Sequence, residues 1–173
     1  MPTTFVLVAT SLASLPPVGQ PVIMVGAGTG LAPFRGAIET ARGPSGTPHG
    51  DAELFFGCQN SSKFLYETEL KGYATDKTLA SLNVCFSRMG EKKYVQQEIV
   101  IRKAQVWKLL CDGAHIYVCG DASRMAPAVK SAFKTVASEQ GGLSEAKASA
   151  FVDQLCAMGD DKRYHEDVWA GNA

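Results

Sequence analysis

The sequence predicts an α/β fold with a parallel sheet of five strands and helices on both faces. Three observations predict it. Short apolar runs alternate with helix-compatible stretches along most of the 173 residues, as in sheets whose parallel strands are joined by crossovers. One apolar run, starting at Val22, leads into three glycines with single spacers and then a proline, Gly26-Ala-Gly28-Thr-Gly30-Leu-Ala-Pro33. That order reads as strand, tight turn, helix. Finally, the distinctive residues of the chain fall at the carboxyl ends of the predicted strands, where ligands of such sheets bind.

Composition sets the outer limits. A chain of this length makes one domain with a single core. With 46% hydrophobic and 20% charged residues and a net charge of zero, it has the composition of a soluble globular protein and lacks the basic character of nucleic-acid binders. No apolar run approaches the roughly 20 residues of a membrane span, and the start of the chain lacks the basic segment of a signal peptide. Five cysteines, at positions 58, 85, 111, 119 and 156, show no metal-ligand spacing. They argue against zinc or a disulfide framework and for a reducing, cytoplasmic setting.

Taken in order, residues 5–9 form a short apolar strand with no helix of its own before the next one. The strand beginning at Val22 enters the glycine turn, and residues 34–41 continue as a helix. That helix ends in a Gly/Pro-rich loop at 43–48, expected to be mobile. A second strand at 54–57 leads to a short helix at 66–70 and a third strand at 82–86. A single helix is predicted over 95–110, with Val95, Ile99, Val106, Leu109 and Leu110 on one buried face. The fourth strand, 115–119, precedes a helix capped by Asp121 or Ser123 that runs to about Gln140, with Pro127 in its first turns. Gly141 and Gly142 stop it. Ser144 caps a further helix over 145–158, with Ala148, Phe151, Val152 and Leu155 on its apolar face. Residues 163–169 close the sheet.

The glycine turn suits an anion. Without Cβ atoms its main-chain N–H groups can approach a phosphate, and the helix that follows presents its positive end. The turn departs from the common dinucleotide fingerprint, because Leu31 stands at the third small position. The second strand ends in Cys58-Gln59 and lacks the acidic residue that selects NAD through its ribose hydroxyl. Ser87 and Arg88 end the third strand, with Lys92 and Tyr94 just beyond. They supply a guanidinium fork, an ammonium and hydroxyl donors, the chemistry that receives a phosphate.

Several stretches together resemble one family. Val25-Gly-Ala-Gly-Thr-Gly-Leu-Ala-Pro-Phe-Arg-Gly36, Phe55-Phe-Gly-Cys58, Phe86-Ser-Arg88, Tyr94-Val-Gln96, Ile116-Tyr-Val-Cys-Gly-Asp-Ala122 and Arg163-Tyr-x-x-Asp-Val-Trp169 are similar to the C-terminal NADPH-binding domain of diflavin reductases. That family includes NADPH–cytochrome P450 reductase, the reductase half of nitric oxide synthase, the sulfite reductase flavoprotein, and P450s fused to their reductase, the branch this chain most resembles. The resemblance implies a Rossmann-like sheet of the ferredoxin–NADP+ reductase type over residues 21–173. It also implies that residues 1–20 are the last strand of an FAD-binding barrel and a linker, so that the chain is a portion of a larger electron-transfer protein. FAD and FMN would belong to adjoining domains, and a haem protein such as a P450 would be the final acceptor. The resemblance implies a parent protein that is cytoplasmic or membrane-associated.

The same resemblance assigns roles. Ser87, Arg88, Lys92 and Tyr94 become the clamp for the 2′-phosphate of NADPH. The loop is one residue shorter than in microsomal reductases, which leaves Lys92 and Lys93 as alternatives. Thr29, with the N–H groups of Gly28 and Gly30, holds the pyrophosphate. Pro33, Cys58, Gln59, Gln96, Gly120, Asp121 and Met125 complete the cofactor site. Gln59 stands where the family usually has arginine, which implies either a lower affinity or compensation by Arg35 or a loop lysine. Cys119, Asp167 and Trp169 are the catalytic set: the thiol and carboxylate orient the nicotinamide, and the indole covers the flavin until nicotinamide enters. Cys85, Cys111 and Cys156 are expected to be small buried hydrophobes.

Other readings remain open. Tyr73 and Lys77 match a Tyr-x-x-x-Lys pair of short-chain dehydrogenases, but in a turn-like polar stretch too soon after the glycine turn. A ferredoxin–NADP+ reductase or a sulfite reductase flavoprotein would share the fold. A nucleotide-binding module with no chemistry of its own is the remaining alternative, since a hydride needs an acceptor.

Overall fold

The computed structural model describes residues 19–41, 51–159 and 162–170. The expected strand at 5–9 and the loop at 43–48 lie outside the described residues. Five strands, β1 (Val22–Ala27), β2 (Ala52–Cys58), β3 (Ser81–Phe86), β4 (His115–Asp121) and β5 (Tyr164–Trp169), form one sheet in the order β3-β2-β1-β4-β5. Every pairing is parallel. The order reverses between β1 and its neighbours β2 and β4, so a crevice opens at the carboxyl end of β1, the place where doubly wound sheets bind ligands.

Apolar side chains alternate to the two faces of the strands and fill two cores. On one face Ile23, Val25, Phe55, Ile116 and Val118 pack against α3 (Val95–Ile101), α4 (Lys103–Cys111), α5 (Met125–Glu139) and α6 (Glu145–Cys156). On the other, Val22, Met24, Leu54, Phe56 and Tyr117 meet Phe34 and Ile38 of α1 (Ala32–Ala41) and Leu70 and Tyr73 of α2 (Glu67–Thr75). The expected class, a parallel sheet of five strands with helices on both faces, is present.

Element ends differ from expectation for identifiable reasons. The glycine turn is a 3-10 helix, Gly28–Leu31, that passes directly into α1 at Ala32. The predicted 95–110 helix is two helices, because Arg102, at φ −91° and ψ 20°, leaves helical geometry for one residue. Its amide still donates to the Glu98 carbonyl, so the buried face continues across the break. The predicted 66–70 helix runs from Glu67 to Thr75, since Leu70 and Tyr73 form a buried stripe three residues apart. Tyr73 therefore sits in a helix and not in a turn, whereas Lys77 lies past its end at φ 66°. The two are not on one helix face, and the dehydrogenase pair is coincidental. The last helix stops at Cys156, two residues early, where Ala157 turns extended.

Capping follows the sequence at α6, whereas at α5 the N-cap residue is Arg124 rather than Asp121 or Ser123. Ser144 Oγ accepts from the Lys147 amide at 3.4 Å, and Gly141 ends α5 where an added Cβ would strike the Ala137 carbonyl and Trp107. One cysteine departs from expectation: Cys111, the last residue of α4, is exposed, while Cys85 is buried and Cys156 half-buried. The face of α4 at Cys111 turns outward because Leu109 and Leu110 already fill the inward positions.

Candidate nucleotide site

Two glycines shape the turn after β1. A Cβ on Gly30 would lie 2.2 Å from the Cys119 carbonyl oxygen, and one on Gly26 would lie 2.9 Å from the Phe34 ring. Gly30 thus takes the close-packing role that Leu31, itself fully buried, does not. Gly28 has φ 57° and nothing near its missing Cβ. Gly28 and Thr29 are exposed and border a cavity of about 850 Å³ beyond β1, β2 and β3.

The two loops across this cavity are hydrogen-bonded to each other. The Ser87 amide donates to the Cys58 carbonyl at 2.9 Å and the Arg88 amide to the Gln59 carbonyl at 2.8 Å, so the β2–β3 ladder continues past both strands. The hairpin closes where the Lys93 amide donates to the Phe86 carbonyl at 3.0 Å. The Cys58 thiol, buried and raised above its ordinary pKa by that burial and then by Glu67, donates to the Asn60 carbonyl at 3.6 Å. Tyr94 precedes α3, its amide held by Gln97 Oε1 at 2.8 Å.

On the opposite wall, Asp121 Oδ1 accepts from the Arg124 amide at 2.6 Å, from Ser123 Oγ at 3.0 Å and from the Met125 amide at 3.4 Å. These donors hold the carboxylate below its usual pKa. Asp121 therefore receives the amides that open α5, whose N-cap residue is Arg124, and also forms part of the cavity wall.

Among the expected cofactor residues, Gly28, Thr29, Cys58 and Gln59 line the cavity from β1 and β2, Ser87, Tyr94 and Gln96 from the β3–α3 loop and α3, and Asp121 and Met125 from the α5 end. Gly30 and Gly120 are buried beneath it, Pro33 is half-buried in the first turn of α1, and Arg88 and Lys92 are exposed and do not line it. Lys93, not Lys92, stands in the wall. Lys63 and Arg124 also line it; sequence reasoning missed both, although each follows a strand end by a few residues. Arg35 is engaged elsewhere, with Glu69 at 2.7 Å, Glu39 at 2.7 Å and the Tyr66 ring.

The expected catalytic set forms a second group at the β4–β5 edge. Cys119 and Asp167 are register partners, and Asp121 pairs with Trp169 in the same ladder. Cys119 is buried; burial first and then Asp167 push its thiol pKa up to about 12. It is a protonated thiol at neutral pH, a hydrogen-bond donor and not a nucleophile. Asp167 is half-buried and the Trp169 side chain is 43% exposed.

The residues present fit a phosphorylated dinucleotide. Exposed amides at a glycine turn, a helix N-terminus and three cations, Lys63, Lys93 and Arg124, surround a cavity large enough for one. Fold and cavity together define a nucleotide-binding domain of the doubly wound α/β class. The chain belongs to the family of oxidoreductase NAD-binding domains, whose model matches residues 24–131. It is 44% identical over 155 residues to NADPH–cytochrome P450 reductase of Bos taurus, covering 87% of this chain and 22% of that protein. It is 46% identical over 153 residues to the sulfite reductase [NADPH] flavoprotein alpha-component of Vibrio vulnificus, covering 86% and 24%. The bifunctional cytochrome P450/NADPH–P450 reductase of Bacillus cereus is 42% identical over 156 residues, covering 87% and 14%. The chain is thus an NAD-binding domain of the NADPH–cytochrome P450 reductase family, and it spans about a fifth of the length of the reductases it matches. No helix among the described residues is long and apolar enough to cross a membrane.

Proposed function

We propose that this chain is the NADP(H)-binding domain of a diflavin oxidoreductase, presenting the hydride of NADPH to an FAD held by an adjoining domain. From there electrons pass through FMN to a haem acceptor of the cytochrome P450 type. On this reading residues 1–20 are the last FAD-barrel strand and linker, and the FAD and FMN domains of the parent chain are the working partners. The observation that carries the proposal is the cation-lined cavity at the carboxyl ends of β1, β2 and β3, with the Cys119–Asp167 register pair on the neighbouring strands β4 and β5.

The resemblance to diflavin reductases, with the residues that line the cavity, supports the following division of labour. Thr29 and the amides of Gly28 and Gly30 receive the pyrophosphate. Ser87, Arg88, Tyr94 and a lysine, Lys92 or Lys93, receive the 2′-phosphate, with Lys63 and Arg124 supplying the charge that Gln59 does not. The Cys119 thiol donates a hydrogen bond, and the Asp167 carboxylate stabilises positive charge as it develops on the nicotinamide. The indole of Trp169 covers the hydride-transfer position. NADPH supplies the hydride, and the protein supplies orientation and electrostatics. A sulfite-reductase acceptor is a second reading, favoured by the Vibrio vulnificus relative.

Calorimetric binding of 2′,5′-ADP against 5′-AMP tests the proposal without any flavin. A clear preference for the 2′-phosphate is expected, and Arg88→Ala should remove several-fold of NADP+ affinity while leaving NAD+ binding nearly unchanged. Equal losses for both nucleotides would refute the clamp.

A further inference from the structure

Beneath the cavity wall lies a buried carboxylate that no part of the proposed mechanism uses. Glu98, on α3, has a side chain only 9% exposed and is held by two cations. One is Arg102 at the helix break, whose Nε lies 2.7 Å from Oε1. The other is Lys93, whose ammonium pairs with Oε2 and which lines the cavity beside Cys85, Ser87 and Tyr94. Burial on its own would raise the Glu98 pKa; the hydrogen bonds from Lys93 and Arg102 outweigh it and bring the pKa below the usual value.

One cation suffices to neutralise one buried carboxylate, and Arg102 alone would do so. Lys93 is the exchangeable partner. It is 40% exposed, it faces the cavity, and if it turns to another anion Glu98 keeps Arg102 and is not left as an unpaired buried charge. A phosphate drawn to Lys93 must share the ammonium with Glu98 and is repelled by it across that short gap.

We propose that Glu98 is a specificity-determining residue of the nucleotide site: it competes with the 2′-phosphate for the Lys93 ammonium and so limits how tightly the phosphorylated nucleotide is held. The inference rests on the NADP(H) reading above. It gives the carboxylate a purpose opposite in sign to that of the clamp residues around it. Removing Glu98 strengthens binding, whereas removing a clamp residue weakens it.

The test is calorimetry on the chain with 2′,5′-ADP and 5′-AMP. Glu98→Gln should tighten 2′,5′-ADP by about two- to fivefold, the range for releasing a partly exposed ion pair, and leave 5′-AMP unchanged. The gain should vanish in Glu98→Gln combined with Lys93→Met. Arg102→Gln, a change outside the cavity, should leave Glu98 more dependent on Lys93 and weaken 2′,5′-ADP selectively; this keeps the proposal testable if Glu98→Gln does not fold. Unchanged or weakened 2′,5′-ADP binding in Glu98→Gln, or a gain that survives without Lys93, would overturn the proposal while leaving the wild-type preference intact. Absence of any 2′-phosphate preference in the wild type would overturn both this proposal and the NADP(H) reading.

Discussion

The two halves of the candidate site are built from different materials. At the ends of β1, β2 and β3 the cavity is shaped by main chain: glycines without Cβ atoms, and loop amides paired to Cys58 and Gln59 carbonyls. At the ends of β4 and β5 the working groups are side chains, a buried thiol, a half-buried carboxylate and a partly exposed indole, set by ladder register. Backbone-built recognition fails when atoms are added. Side-chain-built chemistry fails when atoms are removed. Substitutions of the two kinds should therefore separate binding and folding from reactivity.

The largest effect is expected where the halves touch. Gly30→Ala forces a Cβ to 2.2 Å from the Cys119 carbonyl, backbone against backbone, and should cost about 3 kcal/mol or more of stability. Gly28→Ala meets open space and pays only for its left-handed φ of 57°, about 1 kcal/mol. Chemical denaturation of both variants checks this, and equal losses would mean that conformation rather than close approach dominates the turn.

A smaller effect, confined to chemistry, is expected from Cys119→Ala in the full-length reductase. Flavin reduction by NADPH should slow roughly tenfold through lost positioning, with NADPH binding retained. An unchanged rate in stopped flow would remove the thiol from the mechanism and blur the contrast between the two halves.

The smallest effect concerns Asp121, whose pKa is lowered first by the Arg124 amide and then by Ser123. A carboxylate with a folded pKa below its unfolded value of about 4 stabilises fully above that value, and the contribution drains away as pH falls through the lowered one. Asp121→Asn has no such titration. Urea midpoints should therefore differ between wild type and variant at pH 7, and the gap should narrow as pH falls below about 4; a constant gap would show that the bonds to the α5 amides act without the charge.

Much of this was legible in the sequence, for a physical reason. Strand ends are marked by glycines and by the switch from apolar to polar residues, so the glycine turn, Cys58-Gln59, Ser87-Arg88 and Cys119-Gly120-Asp121 could be placed before any coordinates. Which long side chain enters a cavity depends on tertiary placement, and so the sequence left Lys92 and Lys93 as alternatives and gave no sign of Lys63 or Arg124. The break at Arg102 was hidden because the apolar spacing of Val95, Ile99, Val106 and Leu110 carries through it. The outward turn of Cys111 was hidden because a cysteine beside Leu109 and Leu110 has no polar mark of its own.

The hydrogen bonds that carry the β2–β3 ladder into the loops also govern how this region can vary. Ser87 and Arg88 are pinned before the hairpin and Lys93 after it, so residues 89–91, ahead of the clamp candidate Lys92, lie in a closed bight between fixed posts. Lengthening or shortening that bight need not slip the register of the residues that face a phosphate. It is the part of the site where insertions and deletions should be best tolerated, and where a linker or reporter sequence should be accepted with the neighbouring wall intact.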